Sequence, residues 1–249
     1  MSAYYPAVKS LPGITREQMV EVDRIVTDEL RIDLVQMMEL AGRALARVAR
    51  DRFLDGDASG RSVAVLAGAG GNGGGALAAA RNLHNWGATP QVALDRPAAA
   101  YHGVPAHQAK TLQHLGIELG EAHQSLPGGP PELIIDGLIG YSLKGAPRGR
   151  MAALIRWANG AGCPVLSLDL PSGLDATTGE PQDPAIHAAA TVTLGLPKTG
   201  LARREARALA GELYLADIGI PPAAYQRIGL SVASPFGQSD IVRVTGLGR

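Results

Sequence analysis

The sequence has few of the features that mark secreted, membrane-bound or nucleic-acid-binding proteins. Its single cysteine, Cys163, cannot form a disulfide within the chain. Lys plus Arg equals Asp plus Glu, at 23 each, so no net charge favours nucleic acid or an anionic membrane. No apolar stretch reaches the roughly 18 residues of a membrane span, and the N-terminus lacks the basic and apolar regions of a secretory signal. We therefore expect a cytoplasmic protein without nucleic-acid or membrane partners.

Aromatic residues are also scarce, at 4%, whereas glycine is abundant, with 32 residues. Hydrophobic residues make up 46% of the chain and charged residues 18%, a balance typical of a globular protein with a sizeable core. A length of 249 residues is near the upper end for one domain. We predict a single domain over 1–249 with a core of about 14–222, and a weakly periodic segment at 233–249 that forms a loose tail or a surface strand.

Short apolar runs alternate with helical patterns through most of the chain. The runs are 63–67, 91–94, 133–135, 165–168, 191–194 and 213–216, and the intervening helices are roughly 74–86, 104–115 and 150–160. This alternation predicts a mostly parallel, doubly wound sheet in a three-layer α/β/α sandwich. Two helices are predicted before it within 15–52, the first capped by Thr15 with Gln18 at capping-box spacing and the second starting near Asp33.

The residues that follow four of the strands have the composition of a binding site. The first strand is followed by a Gly/Asn loop, the third and fourth by Asp136 and Asp169, and the fifth by the segment GLPKTG, which contains Lys198. Ligands of open parallel sheets bind outside the carboxyl ends of the strands, so we expect these loops to meet in one site. Either Asp alone is also explained as a cap or turn residue. Lys144, Arg148 and Lys198 could contact an anion, although each alone is more typical of a solvated surface charge.

The loop LAGAGGNGGGA at 66–76 matches the dinucleotide fingerprint GxGxxG with Gly68, Gly70 and Gly73, and Asp95 lies where a ribose-binding acid is expected. An NAD-dependent oxidoreductase is therefore one alternative, although no arrangement of His or Tyr/Lys suited to hydride transfer is recognisable. The histidines show no metal-ligand spacing; they are His84, His102, His107, His114, His123 and His187.

Six ordered motifs point to a known family. They are MMELAGRA (37–44), GAGGNGGGALAAARNL (68–83), DGLIGYSLKGAPRG (136–149), LDLPSGLDATTG (168–179), TVTLGLPKTGL (191–201) and ADIGIPP (216–222). In these motifs the chain resembles the NAD(P)H-hydrate epimerase family, also called the YjeF amino-terminal domain. The resemblance implies a Rossmann-like sandwich that interconverts the R and S forms of hydrated NADH and NADPH. It also implies a bound potassium ion, a possible homodimer, and a stand-alone unit that works with a separate NAD(P)H-hydrate dehydratase.

The resemblance also assigns roles to individual positions. Asn72, Asp136 and Ser172 match the cation ligands, and their oxygen donors suit an alkali or alkaline-earth ion. Asp169 matches the acid that contacts the hydrated nicotinamide, and we expect it to protonate the leaving C6 hydroxyl and then act as base. Two loops match the substrate-cradling segments; they comprise Gly71, Asn72, Gly73, Gly74 and Gly75, and Gly140, Tyr141, Ser142, Leu143, Lys144, Gly145 and Ala146.

The first loop departs from the family pattern NNGGDG. Gly71 replaces an Asn, Gly75 replaces an Asp, and Ala76 replaces a Gly. A lost carboxylate or amide could weaken binding by about 1.5–3 kcal/mol if it made a charged hydrogen bond. A second alternative is therefore a non-catalytic member of the fold that binds a nucleotide or another ligand, or acts as a scaffold.

Overall fold

The computed structural model describes residues 5–120 and 131–247, which are built around one nine-stranded sheet. The strands are β1 (Ala7–Val8), β2 (Ser62–Ala67), β3 (Thr89–Leu94), β4 (Leu119–Gly120), β5 (Leu133–Gly137), β6 (Val165–Leu168), β7 (Ala190–Leu194), β8 (Glu212–Ala216) and β9 (Ile241–Val244). Their order is β1-β9-β8-β7-β6-β5-β2-β3-β4, and every pair is parallel except β8 and β9.

The direction of strand progression reverses next to β2. From β2 the chain proceeds to β3 and β4 on one side, then returns to place β5 on the other side of β2 and continues outward through β6 and β7. Such a reversal separates the loops that leave the two adjacent strands and opens a crevice between them. The loops after β2 and β5 therefore flank the expected ligand position.

Helices cover both faces of the sheet and make the two outer layers of the sandwich. They are α1 (Arg16–Arg24), α2 (Leu34–Phe53), α3 (Gly71–Asn85), α4 (Gly103–His114), α5 (Gly149–Gly160), α6 (Arg204–Ala210) and α7 (Pro222–Arg227). Buried residues of α1 to α4 and α7 share one apolar cluster, whereas α5 and α6 contribute to two others. The predicted α/β/α sandwich with a mostly parallel sheet is confirmed.

The two N-terminal helices begin where the sequence predicts. Thr15 accepts the backbone N–H of Gln18 and the Gln18 side chain accepts the N–H of Thr15, which completes a capping box. Asp33 and Gln36 form the same motif before α2. A π-helical turn, Ile25–Glu29, follows α1. These caps satisfy backbone N–H groups at the start of each helix, and residues of both helices line the cavity described below.

The sheet extends beyond the predicted core at both ends of the chain. β9 lies inside the sheet between β8 and β1, and its residues Ile241 and Val242 are fully buried. The segment predicted as a tail or surface strand therefore contributes a core strand. Its weak periodicity has a physical reason, since only four residues, Ile241–Val244, are in the strand. In the described ranges no helix is long and apolar enough to cross a membrane.

Candidate functional site

The glycine loop after β2 is a tight turn in which backbone packs on backbone. A Cβ added to Gly68 would lie 1.9 Å from the carbonyl oxygen of Leu138, and one added to Gly73 would lie 1.6 Å from that of Gly68. No side chain fits at either position. The turn leads directly into α3, and Gly71 and Asn72 at the start of that helix line the cavity described below. The first N–H groups of a helix have no intrahelical partner.

Two other glycines serve helix packing. A Cβ on Gly75 would lie 2.7 Å from Cδ2 of Leu168, and a Cβ on Gly42 of α2 would lie 2.7 Å from the carbonyl oxygen of Gly75. Gly75 therefore lets α2 and β6 approach α3 closely. Gly71 is different, because its Cβ would meet only the Met38 sulfur, at 3.8 Å. The surplus of glycine thus reflects the turn and the packing of α3 as well as any ligand.

Asp136 lies in β5 and is completely buried among neutral hydrogen-bond donors. Its Oδ1 accepts the Ser172 hydroxyl at 2.6 Å and the Leu138 N–H at 3.3 Å. Its Oδ2 accepts the Ser167 hydroxyl at 2.8 Å and the Ser172 N–H at 2.9 Å. Burial raises the pKa of this carboxyl above its ordinary value, and these hydrogen bonds oppose that shift.

Asp136 has no charged partner among the described residues, and the polar groups near it offer oxygen donors. No charged side chain of the described residues pairs with this carboxylate, so its charge is uncompensated when it is ionised. Asn72 donates its amide to the Leu168 carbonyl at 3.0 Å, which leaves its Oδ1 oxygen available beside Gly140. Among residues 5–120 and 131–247 no group of three His, Cys, Asp or Glu side chains could hold a metal ion, and His123 lies outside these ranges. The assignment of Asn72, Asp136 and Ser172 as cation ligands stays a prediction, and their oxygen donors are of the kind that suits a hard cation.

Asp169 follows β6 and is bonded to a buried lysine. The Asp169 side chain is 4% exposed and that of Lys198 1%, and the Lys198 ammonium donates to Oδ1 of Asp169 and, at 2.9 Å, to the Leu194 carbonyl. Oδ2 of Asp169 accepts the Tyr141 N–H at 3.1 Å. Asp169 also has a φ of 67°, a left-handed conformation that is uncommon outside glycine. The interpretation of Lys198 as a surface charge is wrong, because the loop after β7 folds inward over Asp169.

A second pair of polar side chains faces Asp169. The Tyr141 hydroxyl donates to Oδ2 of Asp23, which lies near the end of α1, and the Lys198 ammonium is 5.9 Å from the centre of the Tyr141 ring. Burial raises the pKa of both Tyr141 and Asp23. Sequence reasoning missed Asp23, because nothing in the periodic pattern of α1 distinguishes it from a solvated residue.

These groups line a cavity of about 320 Å³. Of the positions predicted to bind substrate, Gly71, Asn72, Gly140, Tyr141, Ser142 and Asp169 line it. Leu143, Lys144, Gly145 and Ala146 line a separate hollow together with Arg148. Gly73, Gly74 and Gly75 are buried within α3 and are not among the lining residues of either.

Asp95, the candidate ribose acid of the oxidoreductase alternative, is already engaged. Arg96 donates to its Oδ2 at 2.7 Å, and the Tyr101 hydroxyl donates to its Oδ1 at 3.0 Å. The side chain is only 2% exposed. Both oxygens therefore have partners within the fold, and the geometry offers little support for a ribose contact.

Fold and site together define a Rossmann-like α/β protein with a buried carboxylate–lysine pair in a crevice at the carboxyl edge of its sheet. The chain matches the family described as "YjeF-related protein N-terminus" over residues 34–200. It belongs to this family.

Curated relatives share most of the chain. It is 42% identical over 240 residues to an NAD(P)H-hydrate epimerase of Dehalogenimonas lykanthroporepellens, covering 95% of this chain and 94% of the relative. It is 37% identical to an NAD(P)H-hydrate epimerase of Truepera radiovictrix, covering 83% of this chain and 89% of that protein. It is also 35% identical to a bifunctional NAD(P)H-hydrate repair enzyme of Moorella thermoacetica, covering 84% of this chain but 40% of that protein.

The crystal structure of the yeast protein YNL200c has the same fold. Its TM-score is 0.77, with 24% identity, over 95% of this chain and 100% of that one. At this identity the likeness supports the fold alone.

Proposed function

We propose that this protein is an NAD(P)H-hydrate epimerase, an isomerase that interconverts the R and S forms of hydrated NADH and NADPH. The observation that carries the proposal is the buried Asp169–Lys198 pair at a cavity between the glycine turn and the 140–142 loop. Its similarity to epimerases along nearly the full chain favours catalysis over a binding-only role. The relatives described as bifunctional repair enzymes support coupling of the S product to a dehydratase.

The cavity and the two loops around it suit the two ends of such a substrate. The hydrated nicotinamide ring would enter the cavity beside Asp169, where Met37 and Met38 provide apolar walls. The pyrophosphate would lie on the free N–H groups at the start of α3, which attract anions without a formal positive charge. Gly140 is required here, because a Cβ at this position would lie 2.6 Å from Oδ2 of Asp169.

Epimerisation requires breaking and re-forming the C6–O bond of the hydrate. The ring nitrogen lone pair expels the C6 hydroxyl once that oxygen is protonated, and water then adds to the opposite face of the iminium. Asp169 is positioned to transfer the proton, and Lys198 holds its carboxylate in place. The reaction is redox-neutral, so the proposed roles of the protein are positioning, proton transfer and exclusion of bulk water.

We further propose that Asn72, Asp136 and Ser172 hold a potassium ion. Such a cation would supply the positive charge that the buried Asp136 lacks, and Asn72 and Ser172 would add neutral oxygen donors. Potassium chloride is expected to raise the Tm by a few degrees over choline chloride at equal ionic strength, because a ligand that binds only the folded state stabilises it. Ser172→Ala should reduce this difference, whereas Ser142→Ala, on the neighbouring loop, should preserve it. An equal Tm in the two salts would contradict the cation site.

The activity is tested by incubating the protein with the R-hydrate and an S-specific dehydratase and following the return of NADH absorbance at 340 nm. An epimerase accelerates recovery beyond the spontaneous rate of epimerisation. A binding-only protein would give a thermal shift with nucleotide and no acceleration. An oxidoreductase would change the absorbance when given NAD and a second substrate, without the hydrate or the dehydratase. Either of the last two results would overturn the proposed function.

A further inference from the structure

Epimerisation places two proton transfers on opposite faces of one ring. The leaving hydroxyl needs a proton on the face that it departs from, and the incoming water must lose a proton on the other face. Asp169 cannot easily serve both, because Lys198 and the Tyr141 N–H fix its two carboxylate oxygens. A second proton-transfer group is therefore required in the same cavity, or bulk water must enter it.

The described residues place such a group in the cavity. The Tyr141 hydroxyl and the Asp23 carboxylate are hydrogen-bonded to each other, and both residues line the cavity with Asp169 and Lys198. Tyr141 comes from the loop after β5 and Asp23 from α1, so the pair is independent of the elements that carry Asp169 and Lys198. We propose that the Tyr141 hydroxyl, backed by Asp23, is the second proton-transfer group of the epimerase. This assignment rests on the proposed function.

The electrostatic environments of the two carboxylates suit opposite tasks. The buried Lys198 ammonium is bonded directly to Asp169. Asp23 instead has the neutral Tyr141 hydroxyl as its hydrogen-bond partner in the cavity. Burial raises the pKa of Asp23, and the nearby Asp169 carboxylate adds to that shift, whereas the Tyr141 hydrogen bond and Lys198 oppose it. Arg16, Arg24 and Tyr225 are further titratable side chains near the pair. The two carboxylates of the cavity therefore have different hydrogen-bond partners, an ammonium for Asp169 and a neutral hydroxyl for Asp23, as two groups with different proton-transfer roles require.

The proton balance closes with these two groups. In one direction solvent first protonates Asp23, which then donates to the Tyr141 oxygen, the reverse of the hydrogen bond in the resting protein. Tyr141 gives its own proton to the C6 hydroxyl, and the C6–O bond breaks with both electrons leaving on water. The nitrogen lone pair forms the C=N bond. Water then adds from the other face, the nitrogen recovers its lone pair, and Asp169 accepts the released proton. The reverse direction runs the same steps backward, and solvent resets both groups between turnovers.

Tyr141→Phe and Asp23→Asn test the assignment. Each is expected to lower kcat on the order of 10²-fold, within the range of a lost general acid or base, with KM changed much less. The double variant should lose no more than either single variant, because the two residues act as one unit. Wild type should give a bell-shaped pH profile of kcat/KM, and both single variants should lose one limb.

Tyr5→Phe is the matched control. The Tyr5 hydroxyl donates to Asp51 at 2.7 Å, which makes another tyrosine–aspartate pair, and neither residue lines the cavity. This variant should keep wild-type kcat whatever it does to Tm. The assignment would be overturned if kcat of Tyr141→Phe stayed within twofold of wild type, or if Tyr5→Phe lost as much kcat as Tyr141→Phe. Neither result would affect the epimerase function. Absence of any acceleration by the wild-type protein would instead overturn the function, and this assignment with it.

Discussion

Replacing Asp169 with asparagine is expected to lower kcat/KM for epimerisation by about 10²- to 10⁴-fold, the usual contribution of a positioned acid or base. Asparagine is nearly isosteric and tolerates the left-handed backbone, so the substitution removes the proton-transfer group without displacing the loop. The coupled assay with the S-specific dehydratase measures the effect.

Stability has to be measured beside activity, because asparagine leaves the buried Lys198 ammonium without its carboxylate. Removing one partner of a buried ion pair lowers the free energy of unfolding by about 3–5 kcal/mol. The double variant Asp169→Asn with Lys198→Met has no unpaired charge at this position and should recover most of that loss in urea unfolding, yet remain inactive. Lys110→Met, an exposed lysine on α4, should match wild type in both measurements. Wild-type activity in the double variant would remove Asp169 from the mechanism.

Gly73→Ala is expected to destabilise the protein by about 3 kcal/mol, at the upper end of the usual cost of overpacking. The added Cβ would lie 1.6 Å from the backbone oxygen of Gly68, so the turn after β2 would have to open. That turn positions the start of α3 and with it Asn72. Urea unfolding with an unchanged m-value measures the loss.

Gly71→Ala is the matched control two residues earlier. Its Cβ would lie 3.8 Å from the Met38 sulfur, which is ordinary contact distance. Because alanine is favoured over glycine at a helical position, we expect a stability equal to or slightly above that of wild type. Equal stability of the two variants would mean that the turn has more freedom than its backbone contacts indicate.

The order of strands and helices could be predicted from the sequence because local patterns encode it. The apolar runs at 63–67, 165–168 and 213–216 are strands in the structure within one residue of the predicted ends. Short elements were not predicted, since β1 and β4 have two residues each and α6 has seven, too few for a periodic signal. The capping box at Thr15 was predictable because its partners are three residues apart.

The residues of the candidate site also differ in whether the sequence alone could predict their roles. Asp136 and Asp169 could be identified from their places after apolar runs, since the carboxyl ends of parallel strands converge. The pairing of Asp169 with Lys198 and of Tyr141 with Asp23 could not, because 29 residues separate the first pair and 118 the second. The role of Gly75 was also hidden, since its contacts come from β6 and α2.

By itself the sequence determined the layered α/β fold, the family and the loops that form the site, because each depends on residues close together in the chain. Only the tertiary structure decided which side chains face each other. It turned Lys198 from an apparent surface charge into the buried partner of Asp169, and it brought Asp23 on α1 into the cavity. The physical reason is that burial and ion pairing depend on how distant elements pack, which no local pattern specifies.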